Sequence, residues 1–583
     1  MASLGSIEEE ITKQSARYNE LRLQPNGDPV ALEEVRQKLG ELKKTLGQAK
    51  AAAGGGKKKE ERERLLLKTA KGTRDFGPAE MHCREHIERI VKDCFALYGG
   101  SCLDTPVFER KDILTGKYGE DQKLIFDLMD QGGEQLALRY DHTVPLARYL
   151  AMMGANVTQH KLWQVGKVYR RDQPVMSKGR MREFSQADFD IAGTWDPMIP
   201  DAEILSFLST VLTKLDVGEF TIKLNHRKIL DGIFEVCGVP ADKIRSISSA
   251  VDKLDKLPWS EVKKEMTEEK GLDPAIADSI GEYVKHKGGP DLLEQLLGNT
   301  TLVANANAKQ GLEDMGLLFK LLAAYNVVDK ISFDLSLARG LDYYTGIIYE
   351  AIVEASAPPG FKANPDPSTS AAPSDNPPPP SKKKTKKPKQ EGEEDEDEVD
   401  ESQVGVGSIA AGGRYDNLVG MFTSAAASAD SAKKAAKAGT PCVGVSIGLD
   451  RIFALLYPKW IEQGKRQKDT MVYVMAAGDG LLVERIKLVR ELREAGVKSD
   501  YLAKTKPKLP AQFAAGEKDE VPFAIILGES ELKEGLVTVK EQRWEMQDGK
   551  KVKLVTEGDD KGQKVSREGL VDWLKSRELW QKW

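Results

Sequence analysis

The stretch VYRRDQPVMSKGRMREFSQADFD, residues 168–190, sets five arginines or lysines around a turn and then alternates polar with apolar side chains. The pattern predicts two antiparallel strands, Val168–Asp172 and Arg182–Asp190, joined by the glycine-containing turn. Side chains on a strand change face with period two. Arg182, Phe184, Gln186, Asp188 and Asp190 therefore share one face, whereas Glu183, Ser185, Ala187, Phe189 and Ile191 share the other. The second set is mostly apolar and suits a core. The first runs from a cation through a ring and an amide to two carboxylates. An ion-pair ladder across a sheet is the plainer meaning of such a row. A ligand that is anionic and planar at one end and cationic at the other, such as a nucleotide joined to an amino acid, also fits it.

The surrounding chain limits the alternatives. Its 583 residues call for several domains. A hydrophobic content of 40% is that of an ordinary globular protein, and no apolar run approaches the ~18 residues of a membrane span. The start, MASLGSIEEEITK, has neither the basic and apolar regions of a signal peptide nor the acid-poor character of a transit peptide. Five scattered cysteines without a CxxC pair argue against both a disulfide framework and a cysteine zinc site. A net charge of −5 leaves any nucleic-acid surface to local patches.

Outward from the hairpin, residues 1–50 read as a helical hairpin. Ile7, Ile11, Tyr18 and Leu21 fall at helical spacing, and Leu32, Val35, Leu39, Leu42 and Leu46 form a narrow apolar stripe. Pro25-Asn26-Gly27-Asp28-Pro29 breaks the first helix and starts the second. Residues 51–65 read as a flexible linker. Residues 66–458 read as one large α/β body with two interruptions: a helical insertion at about 230–325, and a proline, lysine and acid tract at 356–403 too polar to form a core. Residues 469–583 alternate strands and helices as a smaller α/β domain.

Other motifs carry less. His82-Cys83-Arg84-Glu85-His86 matches the inverted zinc-peptidase pattern. Both histidines lie off the helix's buried stripe, and the remaining four histidines are unpaired in sequence, so two surface histidines are the better reading and no metal site is expected from a side-chain cluster. No G-x-S-x-G elbow or GK[ST] phosphate loop occurs. Glycine-rich turns usually mark tight packing, but GGRYD (412–416) and VGVSIGLDR (443–451) sit beside arginines, which raises the anion-binding reading. ARGLDYYTG (338–346) brings Arg339 near the hydroxyls of Tyr343 and Tyr344. In RYDHTVP (139–145), Asp141 and Thr143 are read on one strand face, a carboxylate and a hydroxyl for an ammonium group.

Together these segments resemble the class II aminoacyl-tRNA synthetases, and within them the histidyl-tRNA synthetases. KGTRDFGP (71–78) with the helix and TPVFE after it is similar to motif 1, VYRRDQP…KGRMREFSQADFDIAG (168–193) to motif 2, and GVSIGLDRIFALL (444–456) to motif 3. ARGLDYYTG and AAGGRYDNLVG resemble the two segments particular to the histidine enzymes, and are far more specific than motifs 2 and 3. The N-terminal hairpin resembles a WHEP domain, and the last domain a class II anticodon-binding domain.

The resemblance implies an antiparallel class II sheet flanked by helices, an α+β fold. It implies ATP-dependent attachment of L-histidine to tRNA(His) through histidyl-adenylate, with Mg²⁺ accompanying ATP. Arg170 would hold the α-phosphate and the substrate carboxylate. Phe184 would stack on adenine, with Arg451 over its other face. Asp172 and Arg182 would serve ATP, and Gly412, Gly413, Gly444 and Gly448 would let backbone approach the adenylate. Asp141, Thr143 and Gln186 would hold the α-amino group with His142 beside them, and Asp190, Tyr343 and Tyr344 would read the imidazole. Arg339 would lie on the α-phosphate. Lys178 and Arg180 would sit on the turn, where the acceptor end of the tRNA passes. Further expectations are a homodimer, a cytoplasmic location with an alternative start as the route to a mitochondrial form, no membrane association, and tRNA or protein contacts through the N-terminal hairpin.

Three residues depart from the family's usual pattern: His142 for an apolar residue, Ser185 for an aromatic one, and Asp450 for glutamate. A charged His142 would oppose an ammonium ion, so a neutral imidazole is expected there. A synthetase-like regulator that does not charge tRNA would have lost signature residues, whereas Arg170, Arg339 and Arg451 are all present.

Overall fold

A computed structural model describes residues 4–23, 29–53, 65–129, 132–154, 159–255, 257–338, 343–353, 406–428, 439–547, 550–554 and 562–581. Residues 54–64 of the expected linker, the whole 356–403 insertion and Arg339 lie outside these. The chain divides into two compact units, residues 1–69 and 70–583. In the first, helices Leu4–Leu23 and Pro29–Ala53 pack together and bury Ile7, Gln14 and Val35. The second helix runs through the first three residues of the expected linker.

In the second unit the strands, in chain order, are β1 (Ser101–Cys102), β2 (Phe108–Arg110), β3 (Leu136–Leu138), β4 (Gln159–Tyr169), β5 (Glu183–Gly193), β6 (Phe220–His226), β7 (Lys287–Gly288), β8 (Ile331–Asp334), β9 (Ile347–Val353), β10 (Ala410–Arg414) and β11 (Cys442–Gly448). Nine of them form one sheet in the order β1-β4-β5-β11-β10-β9-β6-β8-β7. All neighbours run antiparallel except β1–β4 and β6–β8. The quoted hairpin is thus real, but its strands sit further from the turn than the sequence predicts: Gln159–Tyr169 pairs with Glu183–Gly193. Arg170, Asp172 and Arg182 lie beyond the ladder. One more backbone bond, Arg170 N–H to Arg182 O at 2.9 Å, closes the hairpin before the turn.

The period-two reading of β5 holds. Ala187, Phe189 and Ile191 join the largest core cluster with Val443, Val445, Ile447, Ala410, Tyr349 and Ala351. Helices Pro78–Leu97, Ile199–Lys214, Ala306–Ala324 and Leu449–Glu462 all contribute to this cluster. Pro78–Leu97 buries Cys83, Ile87, Val91, Cys94 and Phe95, and Ile199–Lys214 runs nearly all-buried beside it. Each fully buried aliphatic or aromatic side chain contributes about 1.5–3 kcal/mol. The opposite face carries Gln186, Asp188 and Asp190, buried but polar. Helices Thr143–Met153 and Leu418–Ala426 pack over one end of that face, and the helical residues from Leu230 to Val284 over the other. The polar strip lies between these two apolar clusters.

The chain after 469 forms a second sheet from β12 (Val472–Ala476), β13 (Ser499–Tyr501), β14 (Phe523–Leu527), β15 (Leu536–Glu541) and, beyond the separate hairpin β16 (Arg543–Gln547) and β17 (Lys550–Leu554), β18 (Gln563–Ser566). Among the described residues no helix is long and apolar enough to cross a membrane.

Candidate functional site

The ladder registers set the site. Gln186, Asp188 and Asp190 of β5 stand opposite Gly448, Ser446 and Gly444 of β11, and Gly444 stands opposite Gly413 of β10. One wall is rich in carboxylates and the next has almost no side chains. Built outward from Gly444, a Cβ would collide with the Asp190 carboxylate, and from Gly413 with the Tyr344 ring. These two glycines admit the site's own side chains. The Cβ direction of Gly412 is filled by the Gly444 carbonyl and by the hydroxyl end of Tyr349, which donates to that carbonyl at 2.7 Å. Gly412 thus makes room for a core tyrosine and for the neighbouring strand's carbonyl. Gly448 has only ordinary contacts with Ile409 O and the Arg451 side chain.

At the acidic end, the Tyr415 hydroxyl donates to Asp190 at 2.5 Å. Burial pushes the Asp190 carboxyl up to about 7, with Tyr415 opposing the rise and the Asp141 charge adding to it. Asp188 accepts from Gln186 Nε2 at 2.9 and 3.2 Å and from the Ser446 hydroxyl at 2.7 Å. Burial, and then the Asp190 charge, raise its carboxyl well above the usual range. The Arg170 guanidinium only donates, so the Gln186 amide keeps its oxygen on that side and its NH₂ toward Asp188. The Gln186 carbonyl then faces Arg170, at 3.5 Å from a guanidinium nitrogen.

Asp141 and Thr143 do not share a strand face. β3 ends at Leu138, and Thr143 is the first residue of the helix Thr143–Met153. Pro145 explains the difference, since the first helical turn tolerates its missing N–H. Asp141 caps this helix by accepting from Val144 N–H at 3.1 Å, and also accepts from the Tyr118 hydroxyl at 2.9 Å. Its second oxygen is buried with no hydrogen-bond partner. Burial raises this carboxyl too. His142 is buried at the helix N-cap, its Nε2 3.3 Å from the Gly166 carbonyl. Burial, and then the neighbouring Arg139 cation, push its imidazole down to about 3, so it is neutral. Tyr343 and Tyr344 lie ring against ring at 5.0 Å, and Tyr343 meets Tyr415 edge-on at 5.8 Å. Burial raises the hydroxyls of Tyr118, Tyr343, Tyr344 and Tyr415, so all remain proton donors.

At the basic end, Arg170 lies over the Tyr140 ring at 4.2 Å and the Phe184 ring at 5.2 Å, and donates to the Tyr140 carbonyl at 3.2 Å. Asp172 is engaged within the hairpin: Arg180 forks onto its carboxylate at 3.0 and 2.5 Å, and Arg182 Nε donates to its backbone oxygen at 3.1 Å. Arg182 also packs across Gly72. Arg451, in the first turn of helix Leu449–Glu462, donates to the Ser408 carbonyl. The turn glycine Gly179 (φ +67°) rests on the Asp450 and Arg451 backbone, where a Cβ would collide. The hairpin turn is therefore seated on the start of that helix.

Sequence reasoning named Asp188 as part of the row but gave it no role, and it missed Tyr415, Tyr118 and Ser446 as partners. Tyr415 stands in the quoted AAGGRYD segment, so a signal existed; Tyr118 had none. The two histidines of the zinc-peptidase pattern both pack against Trp460, at 5.9 and 5.1 Å, and His82 faces Asp469 at 3.5 Å. Among the described residues no group of three His, Cys, Asp or Glu could hold a metal ion.

A mostly antiparallel sheet with arginines and a ring at one end of a strand face and buried carboxylates at the other defines a class II aminoacyl-tRNA synthetase. Comparison with known proteins agrees. The family described as "Histidyl-tRNA synthetase" matches residues 72–359, and "Anticodon binding domain" matches residues 471–577. The chain is 49% identical to a cytoplasmic histidine–tRNA ligase of Takifugu rubripes, over 82% of this chain and 85% of that protein. It is 47% identical to a mitochondrial histidine–tRNA ligase of Saccharomyces cerevisiae, over 87% and 86%. It superposes on a crystal structure of histidyl-tRNA synthetase from Nostoc sp. PCC 7120 with a TM-score of 0.65 and 25% identity, covering 88% of this chain and 99% of that one. The chain belongs to the histidyl-tRNA synthetase family.

Proposed function

We propose that the protein charges tRNA(His) with L-histidine on the strip formed by β5, β11 and β10. The histidine carboxylate attacks the α-phosphorus of ATP, and pyrophosphate leaves. The terminal ribose hydroxyl of tRNA(His) then attacks the aminoacyl carbonyl, and AMP leaves. The protein forms no covalent bond to either substrate; positioning and fixed charge lower the barrier. Magnesium enters with ATP as part of that substrate.

The observation that carries the assignment of ends is the β5 row, which runs from Phe184, with Arg170 over its ring, through Gln186 to Asp188 and Asp190. Phe184 and Arg451 hold the two faces of adenine, with Gly448 leaving room beside them. Arg170 reaches both the α-phosphate and the histidine carboxylate, and Arg182 and Asp172 order the hairpin end nearest the phosphates. Arg339 is assigned to the α-phosphate from its signature segment alone. The orphaned oxygen of Asp141, Thr143 and the Gln186 carbonyl receive the α-ammonium group, and His142, being neutral, does not oppose it. Asp190, with Tyr344 and Tyr343, reads the imidazole. Other side chains would leave these buried groups unpaired, which is an effective basis for rejection.

The chain acts as a homodimer, a reading supported by the exposed apolar side chains of Val107, Phe108, Leu128, Met129 and Met152 around the motif 1 strand. It works in the cytoplasm; residues 469–583 contact the anticodon, and the N-terminal hairpin is a WHEP-like domain that adds tRNA or protein contacts. Incubation with labelled histidine, ATP and tRNA transcripts tests the function. Label should pass to tRNA(His) and not to other tRNAs; no transfer to tRNA(His) would refute it.

A further inference from the structure

Arg84, on the helix Pro78–Leu97, faces away from the polar strip yet ends at its edge. β11 stops at Gly448, opposite Gln186, because the chain turns into helix Leu449–Glu462. The next residue of β5, Ser185, therefore has no β11 residue across from it. Asp450 substitutes: its Oδ2 accepts from Ser185 N–H at 2.6 Å. Its Oδ1 pairs with Arg84, and the other arm of Arg84 donates to the Ser185 hydroxyl at 3.1 Å. The guanidinium also lies over the Phe76 ring at 4.0 Å. The side chain of Asp450 is 2% exposed and that of Arg84 13%. This is a closed triangle of charge-assisted bonds, and such buried pairs are costly to break from one side.

We infer that Arg84, Ser185 and Asp450 form a clamp that sets the gap between Phe184 and Arg451, which makes Arg84 a positioning residue for ATP. Phe184 precedes Ser185 and Arg451 follows Asp450, so the two groups assigned to the faces of adenine are each one residue from the clamp. The Ser185 hydroxyl accepts from Arg84 while its backbone N–H donates to Asp450, so one residue of β5 is held from both sides. The inference rests on the assignment of Phe184 and Arg451 to adenine.

Histidine-dependent exchange of pyrophosphate into ATP by the full chain tests it, with Phe184→Ala, Arg84→Met, Arg84→Lys and Ser185→Ala compared. Arg84→Met should raise KM for ATP about tenfold and leave KM for histidine within about twofold, the size of one lost charge-assisted bond. Arg84→Lys should recover part of the loss. Ser185→Ala should raise KM for ATP by about two- to threefold, and its effect should shrink once Arg84 is gone. Ser185→Ala removes a single hydroxyl and keeps the test standing if Arg84→Met does not fold. Equal rises in both KM values, or no change in either, would overturn the clamp while Phe184→Ala still raises KM for ATP. An unchanged KM for ATP in Phe184→Ala would overturn the adenine assignment, and the clamp with it.

Discussion

Asp190 is a carboxylate that burial holds near the point of ionisation, at about 7, with one oxygen satisfied by Tyr415. Its folded value lies above the ordinary 3.8, so the ligand-free fold gains stability from it at low pH. That contribution fades as pH rises through about 7. A bound imidazole N–H reverses the preference, because it needs the ionised acceptor. KM for histidine should therefore fall as pH rises through about 7, and Asp190→Asn should remove that part of the slope. Comparing the two proteins cancels the titration of histidine itself; identical pH profiles would count against Asp190 as the reader. At this scale the sequence was informative where chemistry follows local parity. Gln186, Asp188 and Asp190 fall on one face because a strand alternates. Tyr415 was not legible as a partner, because it reaches Asp190 across 225 residues of chain. Asp450 and Ser185 stood out only as departures, and their link to Arg84 is a tertiary fact.

At the scale of elements, glycines decide which side chains enter the site. Gly444 and Gly412 lie in paired strands yet serve opposite faces. Gly444→Ala should push Asp190 aside and raise KM for histidine by about tenfold or more, while Gly412→Ala, which meets the Gly444 carbonyl and Tyr349 and not a side chain of the polar strip, should chiefly lower Tm with less effect on either KM. Steady-state exchange and thermal unfolding on both variants check this, and the reverse pattern would reject the assignment of faces. The strands of the quoted hairpin were legible by period, but not their ends. Arg170, Asp172 and Arg182 look like strand residues in sequence, yet the chain needs them to close and seat the turn on helix Leu449–Glu462. Asp141 and Thr143 were misread as strand because the apolar run after them is short. The capping of Val144 N–H by Asp141 is what starts a helix there.

For the whole molecule, the alternation of strands and helices after 469 was readable, but the hairpin Arg543–Leu554 and the short strand Ser499–Tyr501 were not, since neither carries a strong period. Nor did sequence disclose Arg485. It is fully buried and donates to the carbonyls of Gly480, Leu502 and Lys504 at 2.7–2.8 Å, tying the lysine-bearing connection 502–508 to helix Leu482–Glu494. Lys506 itself faces Asp479 on the surface. Arg485→Met removes three hydrogen bonds from a fully buried site, although the Leu502 carbonyl keeps its bond from Lys504 N–H, and should cost about 3 kcal/mol. Charging of tRNA(His) should fall much further than pyrophosphate exchange, because the loss lies far from the β5 row in sequence and in a separate sheet. Parallel loss of both activities would show that the two sheets act as one unit in catalysis.

The nucleotide and histidine are proposed to lie at opposite ends of one strand face. Amino-acid-dependent pyrophosphate exchange by the unmodified chain and by Asp190→Ala tests this division. Exchange is expected with histidine alone, and in Asp190→Ala a large rise in KM for histidine with KM for ATP nearly unchanged. Exchange that is indifferent to histidine, or equal loss of both substrates in the variant, would contradict it.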